Sequence, residues 1–246
     1  GYPGWTNYLY QLCKETTISE AVLDGFITKG EYEEAAQALF DAMPHDSFNE
    51  HLENAFDNDG RALSGCVRFL PYCFTSSVIT TNFDGVLKRC YEAVNQPFEE
   101  ELLGADAIEL PRLLGQNKNV LVKLHGKANT SRSRVLTKQE YDSHYDGAVT
   151  VEKCIRAISG KALLFRGCSL SSDRTLKCLK KFVSENEAQS SVRHYAFIPI
   201  GDDDDERLKR RDELAAANIF PIWYPKDEDH DECLMALLEK LIEEDK

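Results

Sequence analysis

Two short clusters carry side chains whose types and spacing could do chemistry. The first, Thr80-Thr81-Asn82-Phe83-Asp84, sets a carboxamide and a carboxylate two positions apart; the second, Lys123-Leu124-His125-Gly126, sets an imidazole directly before a glycine. The Asn82 amide offers an acceptor and donors and does not titrate, so it can hold a water or a polar reactant at any ordinary pH. Its plainer reading is a turn residue that bonds its own backbone after a strand. The His125 imidazole titrates near neutrality and can take a proton from a hydroxyl or from water. A lone histidine at a strand end is also common as structure alone. Asp84 reads equally as a cap for a helix beginning at Gly85, accepting a backbone N–H, or as a carboxylate that orients His125. His45, His51, His144, His194 and His230 stand in no comparable context.

Two other features invite a metal and do not support one. The run Asp202 to Asp205 places four carboxylates in succession, but neighbouring side chains diverge, and a calcium loop wants alternating ligands with a glycine and a final glutamate. A solvated helix start, favoured by the helix dipole, accounts for it better. The eight cysteines include no Cys-x-x-Cys pair, so no zinc ribbon or finger is expected. They read as reduced thiols of a cytoplasmic protein.

The elements that must position these clusters alternate. Residues 74–80 are β-branched and end at the Asn82 turn, and a helix follows with Val86, Leu87, Cys90 and Tyr91 on one face. Residues 119–124 form a second strand ending at His125. Residues 161–165 form a third, ending at Gly167-Cys168-Ser169 and followed by a helix with Leu176, Leu179 and Val183 in register. Strands over 193–200 and 219–224 come next, then a last helix bearing Leu234, Leu237, Leu238 and Leu241. Ahead of all this, helices are expected over 6–14, 19–26, 31–42 and 47–56, so that residues about 5–70 are mainly helical. The pattern predicts an α/β fold: a Rossmann-like parallel sheet with helices on both faces and a helical N-terminal portion, as one domain over 1–246. In such sheets the ligand lies beyond the carboxyl ends of the strands, where the polar clusters fall.

Composition narrows the function. The 246 residues are 42% hydrophobic and 29% charged, enough to bury a core. Twenty-nine Lys and Arg against 42 Asp and Glu give a net charge of −13, which argues against broad attachment to nucleic acid or an anionic membrane. Ser131-Arg132-Ser133-Arg134 is the one compact basic stretch and reads as a surface loop or, alternatively, a partner or nucleic-acid contact. Apolar runs such as 162–165 are far short of the ~20 residues that span a bilayer, and no signal peptide is seen. A soluble protein is expected.

In order and spacing, Thr80-Thr81-Asn82-Phe83-Asp84, Lys123-Leu124-His125-Gly126 and Gly167-Cys168-Ser169-Leu170 resemble the motif set of the sirtuin superfamily. The closer resemblance is to the zinc-less sirtuin-like domains of prokaryotic anti-phage defence proteins. Gly1-Tyr2-Pro3-Gly4-Trp5, Val135-Leu136-Thr137 with Tyr141, and Ser171-Ser172-Asp173-Arg174 extend the likeness over nearly the whole chain. The family carries a Gly-Ala-Gly-x-Ser loop just ahead of the Gly-Tyr-Pro-like segment, after a first strand, where backbone N–H groups meet the dinucleotide pyrophosphate. The chain begins just past that point, so the strand and loop are expected to be missing from it; either the sequence as given binds NAD poorly, or the loop exists ahead of the sequence as given.

The resemblance implies an NAD glycohydrolase that yields nicotinamide and ADP-ribose and depletes NAD in phage-infected cells, an abortive-infection effector. It implies that Asn82 positions water at the ribose C1′, that His125 is the general base, and that NAD is a substrate with no metal needed. Thr81, Asp84 and Gly126 would bind NAD, Asp84 through the ribose. Gly167 and Ser169 would meet the adenosine-side ribose or phosphate, though Ser169 also reads as a helix cap. Trp5, with Tyr2, would shield the nicotinamide pocket, or is simply core. A homo-oligomer is expected, with a partner protein or a fused sensor domain. A non-catalytic module that binds NAD or ADP-ribose is the alternative reading; a protein deacylase, which carries a four-cysteine zinc module, is a third and is disfavoured.

Overall fold

The computed structural model describes residues 2–57, 60–146, 149–168, 170, 174–186 and 192–244. The chain divides into two compact units, Gly1–Ser64 with Thr75–Thr150, and Gly65–Phe74 with Val151–Lys246. Each contains a three-stranded parallel sheet, so the expected α/β fold of parallel strands and helices is what forms.

In the first unit, helices α1 (Trp5–Cys13), α2 (Glu20–Lys29), α3 (Tyr32–Asp41) and α4 (His45–Phe56) make the helical N-terminal portion. Apolar residues at helical spacing turn one face of each inward. Leu9, Leu12, Leu23, Leu39, Phe48 and Leu52 are all fully or almost fully buried together. Gly30 ends α2 in the left-handed conformation, φ +73°, with open space where a side chain would go. Strands β1 (Val78–Thr80), β2 (Glu100–Leu103) and β3 (Val120–Lys123) follow, in the sheet order β1-β3-β2. The central strand β3 is buried at all four positions, the mark of a strand covered on both faces.

Two boundaries differ from expectation for physical reasons. β1 begins at Val78 because Phe74 closes a short helix, Leu70–Cys73, its N–H donating to the Leu70 carbonyl at 2.8 Å. β2 carries two glutamates in four residues and so hides its strand character. It is an edge strand, where charge guards against further pairing, and Glu100 and Glu101 are met by Lys118 at 2.6 Å and Lys127 at 2.8 Å.

The second unit holds β4 (Leu164–Phe165), β5 (His194–Ile200) and β6 (Ile219–Pro225) in that order. Lys161 and Ala162 are exposed and stay outside β4. Leu234 and Leu238 of helix His230–Glu244 pack with Cys66, Phe197 and Tyr224 into this unit's core. The acidic run starts helix Asp204–Ala215, with the Asp203 carboxylate accepting from the N–H groups of Asp205 (2.9 Å) and Glu206 (3.1 Å). Among the described residues no helix is long and apolar enough to cross a membrane.

Candidate active site

The two catalytic candidates leave the same end of the same sheet. β1 and β3 pair in parallel with Thr80 opposite Lys123, and the Leu124 N–H extends the ladder to the Thr80 carbonyl at 2.8 Å. Asn82 and His125 each follow two residues later, at the carboxyl ends of strands about 4.8 Å apart.

The Asn82 turn is anchored on both sides. Phe83 is buried against Trp5 and Phe56, ring centres 6.2 and 5.9 Å away. Asp84 accepts from the Val86 N–H at 2.9 Å, one residue ahead of Gly85, which is the N-cap of helix Val86–Ala93 in place of the expected Asp84. From the other side the fully buried Lys123 ammonium donates to the Asp84 carbonyl. Burial draws the Lys123 pKa down to about 8, opposed by the nearby Asp84 and Glu101 carboxylates. Asn82 and Thr81 remain exposed. The Asn82 backbone N–H is bound to the Thr80 hydroxyl at 3.1 Å, and among the described residues its amide has no hydrogen-bond partner.

His125 is held differently, and the reason lies in residues to which the sequence reading assigned no role. Thr137 and Glu140 form a capping box that starts helix Lys138–Tyr141. A π-helical turn, Asp142–Asp146, continues it. Such turns are rare and often found at functional sites. Tyr141, His144 and Tyr145 from these two segments surround the imidazole. The Tyr145 hydroxyl lies 2.7 Å from His125 Nε2, and the Tyr141 hydroxyl 3.4 Å from Nδ1. The two tyrosine rings stack on each other at 5.7 Å, and both meet His125 edge to face. His144 stands 6.4 Å from His125, ring centre to ring centre, its buried Nε2 without a hydrogen-bond partner among the described residues. The Thr-Lys-Gln-Glu box and the i,i+4 pair Tyr141/Tyr145 were the signals that could have found this wall.

Burial and the neighbouring His144 pull the His125 pKa from 6.5 down to about 3, and burial lowers that of His144. Both are therefore neutral in the folded chain near pH 7. The unfolded chain takes up the His125 proton as pH falls below about 6.5, while the folded chain does not until about 3. Stability is thus lost across that window as pH falls, by up to about 1.4 kcal/mol per pH unit for this group. The expected result is a urea midpoint that drops between pH 6.5 and 5 in the wild type and drops less steeply in His125→Gln. Equal slopes would rule out this origin.

The remaining candidates are placed as follows. Gly126 has φ +73°, and its N–H donates to the Lys123 carbonyl at 2.8 Å. Trp5 opens α1, half-buried, its ring stacked on Tyr8 at 5.9 Å and packed on Phe83. Gly167, φ +67°, belongs to the second unit, and Ser169 lies outside the described residues. The basic stretch divides: Arg132 is exposed, whereas Arg134 is buried, bonded to Asn49 (2.6 Å) and Glu140 (3.3 Å) and lying over the Phe48 ring. An open cleft of about 420 Å³ between α1 and α4 is lined by Pro3, Tyr8, Gln11, His51 and Arg61 among others, and includes neither Asn82 nor His125. No group of three or more His, Cys, Asp or Glu side chains among the described residues is arranged to hold a metal ion.

Parallel strands flanked by helices define an α/β protein, with an amide turn and a glycine-backed imidazole as candidates at the carboxyl ends of two of its strands. Residues 76–222, about three-fifths of the chain, match the SIR2-like domain. The chain belongs to the SIR2-like domain family, and membership implies use of NAD. Among curated proteins none matches the chain.

Proposed function

We propose that the protein hydrolyses NAD to nicotinamide and ADP-ribose. The observation that carries this reading is the pairing of β1 with β3, which sets Asn82 and His125 at adjacent strand ends in a SIR2-like chain. Nicotinamide is already a cationic leaving group, so the transition state resembles an oxocarbenium ion and needs positioning more than activation. The C1′–N bond breaks with its electron pair leaving on nicotinamide, whose ring nitrogen loses its positive charge. Water, held by the Asn82 amide, bonds to C1′ and gives up a proton to His125, which passes it to solvent. Thr81, Asp84 and Gly126 are assigned to NAD binding, Asp84 at the ribose, with Gly167 and Ser169 assigned to the adenosine side and Trp5 to the nicotinamide end. No metal takes part.

Following the motif resemblance, we assign this activity to a cytoplasmic, homo-oligomeric effector of anti-phage defence that acts with a partner protein or a fused sensor domain. Both units are taken as parts of one functional NAD-binding domain, since the family match draws on each.

A specific observation favours a second reading. His125 is buried with both ring nitrogens engaged by tyrosine hydroxyls, which suits a module that binds NAD or ADP-ribose without turning it over. One assay separates the two. The full-length protein is incubated with NAD, alone and after assembly with any partner, and nicotinamide release is followed. Steady release supports hydrolysis. NAD binding without release, even after assembly, overturns it in favour of the binding module. Release only on addition of an acyl-lysine peptide overturns it in favour of deacylation.

A further inference from the structure

The wall around His125 carries one step beyond hydrolysis itself. A catalytic imidazole needs one nitrogen free to take a proton and a third group to hold the other. The two nitrogens of His125 are not held alike. Nε2 is 2.7 Å from the Tyr145 hydroxyl, a full hydrogen bond, whereas Nδ1 is 3.4 Å from that of Tyr141, at the edge of bonding distance. A reactant entering at Nε2 would have to break the strong contact, while one entering at Nδ1 displaces only the weak one.

We propose that Tyr145 is the positioning residue of His125: its oxygen accepts the Nε2–H, fixes that tautomer and ring orientation, and leaves Nδ1 as the basic nitrogen. The assignment rests on the hydrolytic reading above. When the attacking water gives its proton to Nδ1, the ring becomes an imidazolium and the Nε2–H···O bond to Tyr145 becomes charge-assisted and stronger. The interaction thus favours the transition state over the ground state, and its loss falls on kcat rather than KM. Tyr145 is well placed for the task. It is buried, stacked on Tyr141, in edge contact with His144, and carried on the π-helical turn Asp142–Asp146.

Tyr145→Phe removes the oxygen and keeps the ring, so the wall stays packed. In the full-length protein it is expected to lower kcat for NAD about tenfold, the worth of one such bond, with KM changed less than twofold. Tyr141→Phe is expected to lower kcat less. In parallel, ¹⁵N imidazole spectra of wild type should show His125 protonated on Nε2, and in Tyr145→Phe the two ring nitrogens should move toward a mixture of tautomers. A wild-type ring protonated on Nδ1, unmoved spectra in Tyr145→Phe, an effect confined to KM, or a larger loss in Tyr141→Phe each overturns the assignment. If wild type releases no nicotinamide but the spectra change as stated, the hydrolytic reading fails and the hold of Tyr145 on the His125 tautomer stands.

Discussion

Asn82→Ala and His125→Gln are each expected to lower nicotinamide release by about 100- to 1,000-fold, the range typical of losing a proton acceptor or a positioned donor at a reacting centre. The two substitutions fail for different reasons and control for one another. The Asn82 side chain is exposed and, among the described residues, unpartnered, so its removal should leave the unfolding midpoint within about 0.5 kcal/mol of wild type. Lost turnover there means lost chemistry. His125 is buried against three aromatic side chains, and glutamine keeps most of its volume while removing the base. In the proposed mechanism the two residues act on one water, so the double variant should lose little more than the worse single one. Activity within tenfold of wild type in Asn82→Ala, with the fold intact, would remove Asn82 from the proposed mechanism.

How much of this was legible in the sequence differs by element. α1 to α4 fall within three residues of their expected ends because apolar spacing and the breaks at Gly30 and Pro44 speak directly for local structure. β3 was legible as a continuous apolar run. β2 was not, since its glutamates answer Lys118 and Lys127, 18 and 26 positions away. The strand ends bearing Asn82 and His125 could be found from motif order. The wall facing His125 could not be found that way. Tyr145 reaches back 20 residues to Nε2, a contact that motif order does not carry, although the capping box at Thr137 and the i,i+4 spacing of Tyr141 and Tyr145 mark the segment. Arg134 makes the same point in reverse: read as part of an exposed basic loop, it is instead drawn inward by Asn49, 85 positions away, and by Glu140. Local pattern located the groups that could do chemistry, and long-range packing decided which of them are held still.

Gly126→Ala is expected to be the most damaging single methyl in the first unit. Two penalties coincide there. The φ of +73° is a left-handed conformation that costs a residue with a Cβ about 1–2 kcal/mol. The added Cβ would also lie 2.3 Å from the Ser133 carbonyl oxygen and 2.6 Å from its carbon, which are backbone atoms and cannot rotate away. The same carbonyl would sit 2.4 Å from a Cβ at Gly104, φ +51°, so retreat in that direction is limited too. Relief requires the 130–135 segment to shift, and that strains the bond from the Val135 N–H to the His125 carbonyl at 3.0 Å. Together these give an expected loss of about 3 kcal/mol, or a fall on the order of 6–12 °C in the unfolding transition of this unit. Gly30→Ala supplies the comparison: its φ is also +73°, but nothing lies within 4 Å of the added Cβ, so only the backbone penalty of about 1–2 kcal/mol remains. Urea denaturation of both variants separates the terms, with equal m-values and a larger midpoint shift for Gly126→Ala. Equal shifts at the two glycines would mean that the Ser133 carbonyl yields freely, and that the backbone supporting His125 is not clamped in the way these contacts require.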